Sequence, residues 1–393
     1  MTRVLANLWL HRFAMLTALA TLGLVCLGGV VTSKGVGMSV PDWPTTYGYN
    51  MFFFPFSKWV GGIFYEHTHR LLASAVGLLT VVLALWLWVK EARPWLRWLG
   101  VLALIAVILQ GVLGGLRVTK MKDELGIFHA ALAQLFFVLV SAIALFSSPW
   151  WLNVERKPVT GRTVLTGLYW LGTGLIFFQL LLGAVMRHQH AGLAISDFPL
   201  AHDRLWPAMD PASIAGYNQD RLEVTAASPI TAFQVGLQMV HRLVAIAILA
   251  SVLWAASATK RRLGWHLPLT KLAQTWCALI FTQILLGAAT IWTNKSADIA
   301  TAHVAVGALS LMTGALLILV ASRSLQEAPA AALAGVRPSP GAARPGRDLL
   351  TEPSTALDHA ELAVAEDGHA PPNRSDNAKF SDTEQPDSLG RPA

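Results

Sequence analysis

Residues 63–89 read IFYEHTHRLLASAVGLLTVVLALWLWV. From Leu71 onward the run carries no charge, and at ~1.5 Å of helical rise per residue it covers close to the ~30 Å hydrocarbon core of a bilayer. Its opening turns, EHTHR at 66–70, hold what a lipid-buried helix usually avoids: a carboxylate, two imidazoles and a guanidinium. Ionisable groups at that depth are costly and point to a task other than filling space. The stretch therefore predicts a membrane-spanning helix with a chemically loaded end.

The same character recurs along the chain. Spans are expected near 13–33, 63–89, 98–117, 125–147, 163–186, 231–257, 269–292 and 299–320, making an all-α integral membrane protein of eight transmembrane helices. Composition agrees, with 54% hydrophobic residues against 13% charged. The first span lacks a small-residue cleavage signal and is expected to be retained. Eight spans put both termini on one side. Three short loops carry Lys90, Arg93 and Arg97, then Arg156, Lys157 and Arg162, then Lys260, Arg261, Arg262 and Lys271. The opposite loops are longer and mix their basic residues with Asp197, Asp203, Asp210, Asp220 and Glu223. Density of positive charge near span ends predicts that both termini are cytoplasmic. Anchoring in membrane lipid accounts for the formal charge of +7, and nothing calls for a nucleic-acid partner.

Cys26 and Cys277 both fall inside apolar spans, outside any CxxC unit, so they read as small packing groups. Redox chemistry, if present, must come from a bound cofactor.

Four histidines recur in register: His69 with His129, and His241 with His303. His69 and His241 are each followed by arginine, in YEHTHR and LQMVHR. QGVLGG at 110–115 returns as QILLGA at 283–288, with QLLLGA at 179–184 in the same spacing, and the following helix supplies a histidine in IFHAALAQ and TAHVAVGA. Small residues have their own reason to lie between membrane helices, which is close approach. The recurrence of histidine, glutamine and glycine in one order is what predicts an internal duplication into two four-helix halves, 1–154 and 155–323. All four histidines are expected in the outer half of the membrane, where a pair on different helices can ligate opposite faces of a haem iron. A zinc site would want further cysteine, histidine or carboxylate ligands nearby. Interhelical hydrogen bonding and a transport path remain competing readings. His11, His188, His190, His202, His266, His359 and His369 lack the repeated position.

The halves differ in one respect. Glu66 stands three residues before His69, whereas Gln238 holds the matching place before His241. Glu66 can face the same cavity as His69 and handle protons there, or pair with Arg70 as a structural ion pair at the helix start. Arg70 and Arg242 offer planar donor forks suited to the carboxylates of a haem. His67 lies on another azimuth, toward the loops or a neighbouring helix. The first half is thus the candidate catalytic site and the second the candidate electron-transfer or structural haem site.

Taken together, GGVVTSKGVGMSVPDWP at 28–44, EHTHR, QGVLGGLRVT at 110–119, IFH at 127–129, VHR at 240–242 and TAHVAVG at 301–307 resemble the haem A synthase family of cytochrome oxidase assembly factors, over about residues 12–320. The resemblance implies an eight-helix membrane enzyme that oxidises the C8 methyl of haem O to the formyl group of haem A through hydroxylated intermediates. It implies substrate haem at His69 and His129, haem b at His241 and His303, and Glu66 as a functional carboxylate. Haem O synthase and terminal-oxidase assembly factors are the implied partners, in a bacterial inner membrane; a homo-oligomer is compatible, and the electron donor is left open. The main alternative is a di-haem b electron carrier linked to quinone. The first outer loop, VPDWPTTYGYNMFFFPF, lacks the cysteine pair that some family members carry there. Asp42 and Trp43 read either as shaping a haem entrance or as a turn aspartate and an interfacial tryptophan. The long 188–230 loop reads as largely irregular, and covers the outer sites or meets an oxidase partner. After Arg323 the chain becomes proline-rich with one aromatic, Phe380, which predicts a disordered cytoplasmic tail over 324–393.

Overall fold

The computed structural model describes residues 7–122, 124–224 and 229–328. Elements in chain order are α1 (Leu8–Ser33), α2 (Gly61–Lys90), α3 (Pro94–Lys120), α4 (Glu124–Phe146), the short α5 (Pro149–Asn153), β1 (Lys157–Val159), α6 (Arg162–His188), α7 (Pro211–Val224), α8 (Ala232–Leu263), α9 (Pro268–Trp292), α10 (Ala297–Ser324) and β2 (Leu325–Glu327). Among the described residues, eight of these helices are long and apolar enough to cross a membrane: α1, α2, α3, α4, α6, α8, α9 and α10.

Local chemistry sets the ends. Asn7 caps α1 by accepting the Leu10 N–H at 3.1 Å. Prolines occupy the first turn of α3 and α9, where a missing N–H costs nothing. Thr231 and Gln234 form a reciprocal capping box at the start of α8. That helix runs past the expected span limit through Lys260, Arg261 and Arg262 to Leu263, because a helical backbone need not stop where hydrocarbon does. Cations at its last turn suit the negative end of the helix dipole.

α1, α2, α3 and α4 pack as a ring of successive neighbours, and α6, α8, α9 and α10 form a second ring. The rings meet where α1 and α4 face α10 and where α4 faces α6. Leu78, Leu85, Ile246 and Leu285 point outward, as lipid-facing positions should. Without a solvent-driven hydrophobic effect between helices, contact is secured by close packing and interhelical hydrogen bonds. In the second ring Trp276 is fully buried, and its indole N–H donates to Ser310 O at 2.8 Å. The ring fits because Gly172 lies opposite: a Cβ there would stand 2.6 Å from Trp276 Cη2. In the first ring Leu10, Leu83, Leu87, Leu96 and Ile143 form the centre of the core.

The long loops, 34–60 and 189–231, gather at one end, called here the loop end. The segment expected to be irregular contains a helical turn at Ala191–Leu193, the fourteen-residue α7 and a small core of Ala194, Ile195, Ala201 and Ile230. Two side chains organise it. Asp210 accepts from Ser213 N and Oγ at the start of α7, and Asn218 exchanges hydrogen bonds with both backbone groups of Ile230. At the opposite end, β1 pairs in parallel with β2. Order therefore continues to Ala328, past the Arg323 boundary drawn from composition, because the strand partner lies far away in sequence. From residue 329 onward the expected tail lies outside the described residues.

Candidate functional site

All four histidines lie within the first three turns of their helices at the loop end: His69 on α2, His129 on α4, His241 on α8 and His303 on α10. Each is partly buried. His69 and His129 are close enough to interact electrostatically, and so are His241 and His303. The pairs are thus those expected from the spacing, one in each helix ring.

A glycine faces every one of these imidazoles. A Cβ on Gly28 would lie 3.2 Å from His69 Nε2, on Gly114 3.3 Å from His129 Cε1, on Gly183 3.7 Å from His241 Cε1, and on Gly287 3.3 Å from His303 Cε1. One helical turn before three of these glycines stands a glutamine, and its amide reaches the same histidine. Gln110 donates to His129 O at 2.9 Å, Gln179 donates to His241 O at 2.8 Å, and Gln283 Nε2 lies 3.4 Å from His303 Nε2. Glutamine and glycine at i and i+4 share a helix face, so one braces the histidine while the other makes room for it. Before Gly28 the corresponding residue is Leu24, so His69 lacks this brace. One turn deeper in the second ring is a cavity of about 40 Å³ lined by Gln179, Gln283, Gly307 and Ser310. Ile176, Leu180, Ala245, Ile248, Ile280 and Ile284 make most of its wall apolar, and the side-chain oxygens of Gln179 and Gln283 have no protein donor.

The donor set fits haem. Nδ1 of His129, His241 and His303 is shielded from solvent and has no hydrogen-bond partner. Among the described residues, no group of three or more His, Cys, Asp or Glu side chains gathers as a zinc site would require. Two imidazoles on facing helices suit the two axial positions of a haem iron.

Glu66 is buried, with both oxygens engaged. Val40 N–H donates to Oε2 at 2.9 Å and Arg70 Nη2 to Oε1 at 2.8 Å. Arg70 also donates to the carbonyls of Val40, Asp42 and Thr45. The second ring repeats this anchor. Ile195 N–H donates to Gln238 Oε1 at 2.8 Å, and Arg242 donates to the carbonyls of Asp197 and Leu200, each at 2.7 Å. Both arginines therefore hold loop backbone. The reason is geometric: consecutive helical residues project about 100° apart, so an imidazole turned inward sends its successor toward the loop.

The gripped loops are themselves alike, which sequence reading missed. VPDWP at 40–44 and ISDFP at 195–199 each carry a cis aromatic–proline bond. Asp42 accepts from Tyr47 N and Gly48 N at 2.7 and 2.9 Å; Asp197 accepts from His202 N and Asp203 N at 2.8 and 3.1 Å. Asp42 is thus a turn aspartate. Partial burial acts to raise its pKa, but the Gly48 N–H, the Thr45 hydroxyl and the Tyr47 N–H outweigh it and hold the carboxyl below its usual range. The shared Asp-aromatic-Pro triplet was the available signal. Trp43 lays its indole on Gly115, beside the glycine that faces His129.

The remaining described histidines have other surroundings. His67 turns to the first loop, with Nδ1 3.2 Å from Thr46 Oγ1 and its ring against Phe54 and Trp59. His11 Nδ1 lies 2.9 Å from Ala144 O, bridging α1 and α4. His202 stacks on Tyr217 with ring centroids 3.6 Å apart. Cys26 and Cys277 are free thiols within α1 and α9.

Comparison with known proteins agrees with this frame. The family model described as cytochrome oxidase assembly protein (COX15-CtaA) matches residues 49–315. A heme A synthase of Caulobacter sp. (strain K31) is 31% identical over 264 residues, covering 64% of this chain and 71% of that protein. One from Geobacillus kaustophilus is 26% identical over 309 residues, 74% of this chain and 84% of its own length. One from Shouchella clausii is 28% identical over 207 residues, 50% of this chain and 65% of its own length. With the match running from the first loop through the helix that bears His303, the chain belongs to the COX15-CtaA family of cytochrome oxidase assembly proteins, the heme A synthase family.

Proposed function

We propose that this chain is a haem A synthase that oxidises the C8 methyl of haem O to the formyl group of haem A, with substrate haem between His69 and His129 and haem b between His241 and His303. Family membership carries the coarser statement of a membrane-associated oxidoreductase. The observation that carries the finer one is the pairing itself: two histidine pairs on facing helices, each imidazole faced by a glycine, in two helix rings. The recurrence of the histidine, glycine and loop-anchor contacts supports descent of the two rings from one duplicated four-helix half. Basic residues at the turns opposite the loop end support cytoplasmic termini in a bacterial plasma membrane.

Converting a methyl to a formyl group withdraws electrons and hydrogens and adds oxygen, so the site must conduct both electrons and protons. Haem b, when bound, supplies one-electron transfer. His69 and His129 hold and orient the substrate ring, while Gly28 and Gly114 keep its surroundings clear. Glu66 is the proton-handling group. Gln238 makes the matching backbone contact without a charge, while Glu66 additionally pairs with Arg70, so the carboxylate adds something the loop contact alone does not need. Trp43 on Gly115 and the loop gripped by Arg70 exclude water from the site.

The test is the extracted haem profile, by chromatography and mass, after co-expression with a haem O source under aerobic conditions. Haem A or its hydroxylated precursor is the expected outcome. Unchanged haem O and haem b in folded protein with a working electron supply would move the reading to a di-haem electron carrier.

A further inference from the structure

Three cations lie at the loop end where the two rings meet: Arg117 on α3, Arg187 on α6 and Lys295 between α9 and α10. Arg187 stands one turn beyond Gly183, the glycine facing His241, and lies near enough to His303 and to Arg117 to act on both electrostatically. Arg117 stands one turn beyond Gly114 and acts in the same way on His69 and His129. Each ring thus has a guanidinium one turn outward of its histidine pair.

Arg187 is partly buried in the seam. Its Nη2 donates to Gly29 O at 3.1 Å and to Ser33 Oγ, both on α1 of the other ring, and Nη1 and Nε donate to no described residue. Lys295 is held in the left-handed backbone region at φ 62°, with its N–H donating to Thr290 O at 2.7 Å. Burial, and then the neighbouring Arg187, draw the Lys295 ammonium below its usual pKa. Neither cation is matched by a carboxylate: the ion pairs formed among the described residues are Arg70–Glu66 and Arg93–Glu91. Like charges in a partly desolvated seam repel, and an anion between them offsets that cost.

We propose that Arg187 and Lys295 receive the carboxylate side groups of the macrocycle held by His241 and His303. This rests on the haem reading above and adds to it the residues that orient the ring. Arg70 and Arg242 spend their terminal nitrogens on loop carbonyls, whereas Arg187 commits only Nη2. Position favours a ring carboxylate over a lipid phosphate, since Arg187 faces the seam between α6 and α1.

The experiment titrates haem-free full-length protein, in nanodiscs of zwitterionic lipid, with haem b and with its dimethyl ester, following the Soret band. The wild type is expected to prefer the free acid by roughly tenfold or more, the scale of a charge-assisted hydrogen bond. In the Arg187→Gln/Lys295→Gln double variant that ratio should fall toward one. Arg187→Lys, which keeps the charge at the seam, should retain most of it. An unchanged ratio in the double variant overturns the proposal. A variant that keeps the ratio but no longer co-purifies anionic lipid also overturns it, in favour of a headgroup site. A wild type that gives no Soret shift with either ligand defeats the haem reading itself, which is a separate failure.

Discussion

Glu66 and Gln238 make the same backbone contact with different side chains: the first receives Val40 N–H at 2.9 Å and the second Ile195 N–H at 2.8 Å, each fastening the loop that precedes its helix. One ring therefore carries an ionisable group where the other manages with an amide.

Glu66→Gln installs the second ring's own solution in the first. The variant is expected to fold, keep its first loop closed and retain haem b at His241 and His303. Haem O oxidation should fall by roughly 10²–10⁴-fold, the usual contribution of a positioned acid or base. Haem A yield set against the retained haem b spectrum checks this, and near-normal yield would remove Glu66 from proton handling.

Space beside His303 is the subject of a second prediction. Gly287→Val would drive a branched side chain into an imidazole that a bare Cβ already approaches to 3.3 Å. Haem b occupancy should fall roughly tenfold, in line with overpacking of about 1–3 kcal/mol. Gly174→Ala, where nothing lies within 4 Å, should leave occupancy unchanged. Equal losses in both variants would refute a local effect.

Packing in the second ring depends on Gly172 and Trp276. Gly172→Ala is expected to cost about 1–3 kcal/mol, because the indole is tied to Ser310 O and cannot shift freely. A lower Tm in detergent would register this. Adding Trp276→Leu should make the alanine far less harmful; simple additivity of the two losses would argue against the clash.

Asp42 gives a pH dependence. Its folded pKa lies below the ordinary carboxylate value, so its contribution is complete above the unfolded value and disappears as pH falls through the folded one. The Tm advantage of wild type over Asp42→Asn should be constant near neutrality and shrink in acid, below about pH 4. An advantage that persisted there would mean that the charge on Asp42 is not what organises the turn.

The spans were legible because hydropathy over some twenty residues needs no tertiary information, and His69, His129, His241 and His303 stood out because imidazoles are rare in such runs. The roles of Arg70 and Arg242 were not legible. Their partners are main-chain carbonyls, which leave no mark in a sequence. The 189–231 segment misled for a related reason: its order comes from Asn218 closing on Ile230 and Gln238 closing on Ile195, contacts across distances that composition cannot see. Arg187 escaped notice because its partners, Gly29 and Ser33, lie on a helix of the other ring.

The parallel pairing of Lys157–Val159 with Leu325–Glu327 joins chain that enters α6 to chain that leaves α10, so the first and last helices of the second ring are clasped by their main chains. Gly161 N–H reinforces the clasp by donating to Glu327 Oε1 at 2.6 Å. Such a ring resists unravelling from either terminus, because neither end helix can peel away without first breaking a ladder outside the apolar layer. A dissection of the protein into halves must accordingly carry the second piece through Glu327: a cut at Arg323 would leave β1 as an unpaired edge.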